Sequence, residues 1–315
     1  MRKIVPGYYK NFSCIADKCK HSCCVGWEID IDDTTMCKYN SLKGDFGVKL
    51  KKNIKTENGV SCFVLGENEK CPFLNENGLC DIILNIGEEY LSQICTDHPR
   101  FRNFFSDREE LGLGLCCEEA CRIILSNNEK VTLEVMEDDF SENQLDEDET
   151  FLLEYRERLF SLVQDRSLSI KERCELVLES LQIEFSDTFM SKCVDELLKM
   201  EIMDASWKNI LLKLKSTSFD DSLDKRFSVA FEQLLVYFIY RHLTDSADVS
   251  EIAIRSAFAF LSLKIISGIF NMLKHGSYSE DFSLLCDICR MYSSEIEYCE
   301  ENTERLFDLI YEYNT

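Results

Sequence analysis

Twelve of the seventeen cysteines lie within residues 14–121. They run Cys14-x4-Cys19-x3-Cys23-Cys24, then Cys71-Pro72-Phe73-Leu74, Cys80, Cys95 and the Cys116-Cys117 pair. Thiols at this density serve disulfides or metal, and the redox compartment decides between the two. Residues 1–9 show neither the apolar core nor the small-residue cleavage site of a secretion signal, so a reducing cytoplasm is expected. An odd cysteine count also leaves one thiol over in any all-disulfide scheme. The expected chemistry is therefore thiolate ligation of zinc or of an iron–sulfur centre.

Spacings of four and three let the loop from Cys14 turn its sulfurs toward one point. Adjacent Cys23 and Cys24 project differently in most backbone conformations, leaving one of them for a second site or a supporting role. Cys71-Pro72 has the cysteine–proline step of ferredoxin-type ligand runs, in which proline removes a competing donor and stiffens the loop. Cys286-x2-Cys289, with Cys299 beyond, has zinc-like spacing, but periodicity in residues 284–292 turns those thiols to a buried helix face. With Cys174 and Cys193 they read as small core residues. His21, His98, Trp27, Tyr8 and Tyr9 read as packing or hydrogen-bonding groups.

The elements that position these thiols follow from the punctuation of the chain. All three prolines and ten of twelve glycines precede residue 115. The front of the chain should thus be short elements and loops, and the rest long helices. Alternation in residues 27–32 predicts a half-buried strand; residues 60–65 and 111–115 read as further strands, and residues 79–91 and 118–125 as helices. Residues 134–150 hold nine acidic and no basic side chains, the composition of a linker. Beyond it, apolar spacing predicts seven to nine helices. Ser169-x2-Glu172 supplies a capping box, helix starts fall at Asp187-Thr188 and at Asn302-Thr303-Glu304, and residues 227–243 and 252–273 are apolar enough for the core. The fold class is mainly α: an irregular α+β cysteine-rich metal-binding lobe over residues 1–130, an acidic linker over 131–150, and an acidic all-helical domain over 151–315.

Charge narrows the partners. Residues 1–130 carry a net charge of −3 and residues 131–315 a net charge of −20. So negative a surface repels phosphate backbones and excludes nucleic acid from the helical part, while suiting a lysine-bearing substrate. The apolar stretch 252–273 is interrupted by Arg255, Lys264 and Gly268, so a buried helix rather than a membrane span is expected.

The run Pro6-x-Tyr8-Tyr9, Phe12, Cys14, Cys19, Cys23-Cys24-x-Gly26-Trp27 resembles the opening of the flagellin lysine-N-methylases, within the wider CxxCxxCC-type cysteine-cluster proteins. The resemblance continues in order through Cys71-Pro72-Phe73-Leu74, Gly78-Leu79-Cys80, Gly87-Glu88-x-Tyr90-Leu91 and Cys95-x3-Pro99-Arg100. It closes on Cys117-Glu118-Glu119-Ala120-Cys121-Arg122, against a family segment Cys-Pro-Glu-Ala-Ala-Arg. It departs at Glu118, Cys121 and His98, where the family has proline, alanine and tyrosine. Cys37, Cys62, Cys116 and Cys121 fall outside its pattern.

The resemblance implies methyl transfer from S-adenosylmethionine to lysine amines of flagellin, with an iron–sulfur cluster, probably 4Fe-4S in type by the family's pattern, present in the N-terminal lobe. The ligand candidates it selects are Cys14, Cys19, Cys23, Cys24, Cys71, Cys80, Cys95 and Cys117, enough for two four-ligand sites or for one cluster with spectators. The donor site must be of unusual design. Gly112-Leu113-Gly114 is a bare GxG with no helix opening after it, and the Cys-x3-Cys-x2-Cys spacing of radical S-adenosylmethionine enzymes is missing. Position beside the matched cysteines offers Arg100 or Arg122 for the donor carboxylate and Glu119 as acceptor of the lysine proton. Two other readings use the same thiols: a redox-active cluster enzyme modifying another peptide, and a non-enzymatic zinc or iron module that recruits a partner.

Overall fold

The computed structural model describes residues 1–138, 143–244, 246 and 248–314. Thirteen α-helices and six short strands are present among them, and the mainly α class holds. The strands are β1 (Arg2–Pro6), β2 (Ile54–Glu57), β3 (Val60–Phe63), β4 (Arg100–Phe104), β5 (Arg108–Leu113) and β6 (Leu133–Asp138). Contacts divide the chain into a large unit, Met1–Phe12 with Phe101–Thr315, and a cysteine-rich unit, Ser13–Arg100.

In the large unit the first residues complete a sheet of order β4-β5-β1-β6. β1 runs parallel to β5, with Ile4 opposite Glu110, and antiparallel to β6, with Val5 opposite Glu134. Ile4 and Val5 are buried there, so the N-terminus joins the unit that residues 101–138 build. Residue 130 lies inside this unit. The acidic stretch expected as a linker carries β6 and, from Glu147, the first turn of a helix; residues 139–142 of that stretch lie outside the described residues.

Eight α-helices follow residue 146 among the described residues, from Glu147–Val163 to Glu300–Asn314. Polar caps set their starts: Asp146 and Ser169 close capping boxes with Glu149 and Glu172, and Ser186 accepts from Phe189 N. Val249–Leu273 is long and apolar enough to cross a membrane (mean hydropathy 1.7), yet 78% of its apolar window is buried inside the fold. Helices Ser228–His242, Tyr278–Tyr292 and Glu300–Asn314 pack on it. Its serines spend their hydroxyls on the helix itself, Ser256 on Ile252 O and Ser262 on Phe258 O.

Two acidic side chains are buried with arginine partners. Glu110 on β5 receives both terminal nitrogens of Arg156, at 2.6 and 2.7 Å, and both side chains are almost fully enclosed. Glu232 takes Arg166 at 2.8 Å and Arg173 at 2.7 Å. The first pair pins helix Glu147–Val163 to the sheet, and the second ties Ser228–His242 to the helices before it.

Several local expectations are corrected. Residues 27–32 bury Ile29 and Ile31 and expose Glu28 and Asp30, as alternation requires. They form a single bridge, Asp30 to Cys62, because Asp32 turns away to cap the next helix. Residues 79–91 are not one helix: Asp81–Ile86 ends at Gly87, whose φ of 102 suits glycine, before a 3-10 turn Glu88–Tyr90. The last helix starts at Glu300, not at Asn302. Asn302 and Thr303 lie buried in its first turn, bonded to Glu295 O and Ile296 O.

Replacing Glu110 with Gln leaves the Arg156 guanidinium buried without a counter-charge, and the expected loss is about 3–5 kcal/mol. Urea unfolding of the Glu110→Gln variant measures it; a change under ~1 kcal/mol would mean that the pair does not hold the sheet to the helix.

Candidate metal centre

The cysteine-rich unit has little regular structure, and backbone hydrogen bonds between its loops bring its thiols together. Cys71 N donates to Cys24 O at 2.9 Å, and Gly26 N to Glu69 O at 3.2 Å, so the Cys24 and Cys71 loops run side by side. Beyond Pro72 the chain makes a tight hairpin. Asp81 N donates to Phe73 O at 2.7 Å, and Asn75 Oδ1 receives Asn77 N and Leu79 N. Gly78 holds the turn with a φ of 74, which returns Cys80 beside Leu74. Cys95 rides on the short helix Gln93–Asp97. Asp32 anchors that helix, receiving Gln93 N at 2.9 Å as well as Thr35 N at 2.9 Å. Against partial burial, those N–H donors hold the Asp32 carboxyl below its usual range.

The result is a group of four thiols, Cys24, Cys71, Cys80 and Cys95, whose charges would be felt by one another. Ile29, Ile31, Tyr39, Phe63, Phe73 and Ile82 form the apolar core beside them. Burial pushes the Cys71 thiol up to about 12 and the Cys95 thiol up to about 11, and raises Cys80 as well. Cys24 moves the other way, down to about 7, because the Cys23 thiol and the Ser22 hydroxyl stabilise its charged form against burial. Backbone N–H groups of Phe73, Ile82 and Ile83 are turned to the sulfurs of Cys71 and Cys80. Among the described residues no group of three or more His, Cys, Asp or Glu side chains is arranged to hold a metal ion. The four thiols are neighbours, not a closed coordination shell.

The remaining predicted residues are placed as follows. Cys14 is exposed and its sulfur accepts from Ala16 N at 3.4 Å; the Cys19 thiol donates to His21 O at 3.1 Å. Cys23 is exposed and bonded to Cys24. Cys117 belongs to the large unit, as N-cap of helix Glu118–Ser126. Glu119 and Arg122 pair bidentately one turn apart, at 2.6 and 2.7 Å. Arg100 donates to Thr96 O at 3.3 Å. Cys286 and Cys289 lie on a buried face, as periodicity predicts, and the Cys121 thiol reaches Cys286 O at 3.4 Å. Sequence reading missed Ser92, whose hydroxyl favours the charged form of Cys95; its signal was the Ser-x2-Cys spacing of nearly one helical turn.

Comparison with known proteins supplies relatives for part of the chain. No family model matches it, and no solved structure does. Proteins named Lysine-N-methylase from Salmonella choleraesuis (strain SC-B67) and Salmonella typhimurium are 31% identical over 137 residues, 41% of this chain and 33% of each relative. The match thus spans about a third of the length of those two proteins. A protein named Flagellar biosynthetic protein FliU, from Salmonella muenchen, is 31% identical over 137 residues, and 79% of its length is covered.

In reduced, metal-free protein, a thiol half-ionised near pH 7 alkylates at neutral pH, whereas thiols held near 11–12 stay protonated. Iodoacetamide at pH 7.5–8, read by peptide mass spectrometry, should therefore label Cys24 well ahead of Cys71 and Cys95. Equal labelling of the three would contradict this arrangement.

Proposed function

Given that the chain belongs to the family of the lysine-N-methylases and FliU, we propose that it is a protein-lysine N-methyltransferase. In this reading it works in the cytoplasm, takes the methyl group from S-adenosylmethionine, acts on flagellin, and holds a 4Fe-4S cluster. The structural observation that carries the cluster is the convergence of Cys24, Cys71, Cys80 and Cys95 within one unit. A cluster spreads its cysteines over several irons, so its ligands stand further apart than the roughly 3.8 Å between sulfurs around one tetrahedral zinc. Neighbouring thiols that do not close on a single ion fit the larger group.

Transfer breaks the donor's sulfur–methyl bond and forms a carbon–nitrogen bond to the lysine amine. The donor leaves as a neutral thioether and the amine gives up a proton. When bound, the cluster supplies an iron able to hold the donor's amino and carboxylate groups. The thiols keep that group in place, and the core of Tyr39, Phe63 and Phe73 beside them limits access of water. Residues 131–315, with a net charge of −20, draw a lysine-rich substrate surface by an attraction that added salt weakens.

Glu119 and Arg122 enter the reaction through their ion pair. While they hold each other, the carboxylate takes no proton and the guanidinium binds no donor. A donor carboxylate that captures Arg122 frees Glu119 to accept the lysine proton, so one exchange of partners arms both groups. Calorimetry with S-adenosylmethionine tests this. Glu119→Ala should tighten donor binding several-fold by releasing Arg122, and Arg122→Ala should weaken it. Unchanged affinities in both variants would remove the pair from the reaction.

The cluster and the transfer are tested together on anaerobically purified protein. The expected result is a brown protein with about four irons and four sulfides per chain that passes labelled methyl from S-adenosylmethionine to flagellin lysines. Serine at Cys71 or Cys80 should cost most of the iron. Colourless protein with stoichiometric zinc and no methyl transfer would point to a structural module instead.

A further inference from the structure

Two buried polar atoms among the described residues of the cysteine-rich unit have no hydrogen-bond partner: Ser92 Oγ and His98 Nε2. They bracket Cys95, three residues before it and three after, as the N-cap and C-cap of helix Gln93–Asp97. Orphaned polar atoms are rare in folded proteins, and a common reason is an ion or group that belongs beside them. The Ser92 hydroxyl already lies near enough to Cys95 to favour its thiolate, so its orphan state lasts only while that sulfur keeps its proton.

His98 reaches the same region from the other end. Its ring lies 6.0 Å from that of Trp27, whose Nε1 donates to Cys23 O, next to Cys24. Cys24 and Cys95 in turn lie within each other's electrostatic reach. Burial and nearby Arg100 hold the imidazole neutral, down to about 4, so it offers one N–H and one lone pair. Cys24, Cys71, Cys80 and Cys95 already make a complete four-thiol set. Neither orphan is needed on iron, and both are free to act on sulfur.

Resting on the cluster reading above, the geometry points to Ser92 and His98 as hydrogen-bond donors to the sulfurs around Cys95, positioning residues that set the reduction potential of the bound cluster. A donor to a thiolate or sulfide stabilises the more negative, reduced state, and so raises the potential. The cluster in this chain is accordingly tuned from the Cys95 side, by a hydroxyl and an imidazole that flank one helix.

The experiment is a redox titration of full-length, anaerobically purified protein followed by electron paramagnetic resonance, with iron and sulfide counted in each sample. Wild type is compared with Ser92→Ala, His98→Phe and His98→Gln. Ser92→Ala and His98→Phe should keep their iron and show a lower midpoint potential, while His98→Gln, which still donates, should recover most of the difference. Ser92→Ala keeps the test available if His98→Phe fails to fold. Potentials equal to wild type at full iron content would overturn the inference and leave the cluster reading standing. Iron lost from both His98 variants would make His98 a ligand and also overturn it. Wild type without iron and sulfide would overturn the cluster reading itself, and this inference with it.

Discussion

The cysteine-rich unit is built around the difficulty of keeping several thiols together in apolar surroundings. Burial pushes Cys71 and Cys95 far above the ordinary thiol range, and the loops that hold them carry few regular hydrogen-bond ladders of their own. Four sulfurs in such a place are costly as thiolates unless a cation shares the charge. The details of the unit follow from that. The paired loops at Cys24 and Cys71 and the Asn75–Gly78 turn deliver sulfurs to one region. The Asp32 cap on the Cys95 helix does the same from the far side. With a metal group in place, the thiol contacts become ligands and the orphaned Ser92 and His98 atoms gain acceptors.

The large unit solves a different problem. Its long central helix is apolar enough for a lipid bilayer but is buried by other helices, so its stability comes from side-chain packing. Charged groups enter that core only in pairs, Glu110 with Arg156 and Glu232 with Arg166 and Arg173. Buried pairs of this kind fix which elements meet more than they add net stability. The same unit carries most of the negative charge on its outside, where solvation makes it inexpensive and a lysine-bearing partner can use it.

Glu119 and Arg122 show how one short helix can look like two functional groups in sequence and one ion pair in space. Their three-residue spacing placed them on one helix face, and the pairing follows from that face. Their part in chemistry then depends on what competes for the guanidinium. Cys117, at the start of the same helix, belongs to a different unit from the other candidate ligands.

Much of the molecule was legible from residue order because it depends on local physics. Helix caps at Ser169 and Ser186, the apolar helices around residues 227–243 and 252–273, the buried face of Cys286 and Cys289, and the inward Ile29 and Ile31 all follow from periodicity and side-chain chemistry over a few residues. The sequence by itself also determined that thiols would cluster in the front of the chain. Only the tertiary structure decided which thiols meet, that residues 1–12 pair with β5 and β6 and not with the segment that follows them, and that Ser92 and His98 are buried without partners. Those outcomes depend on contacts between residues tens of positions apart, whose closure depends on the whole fold and leaves no trace in local spacing.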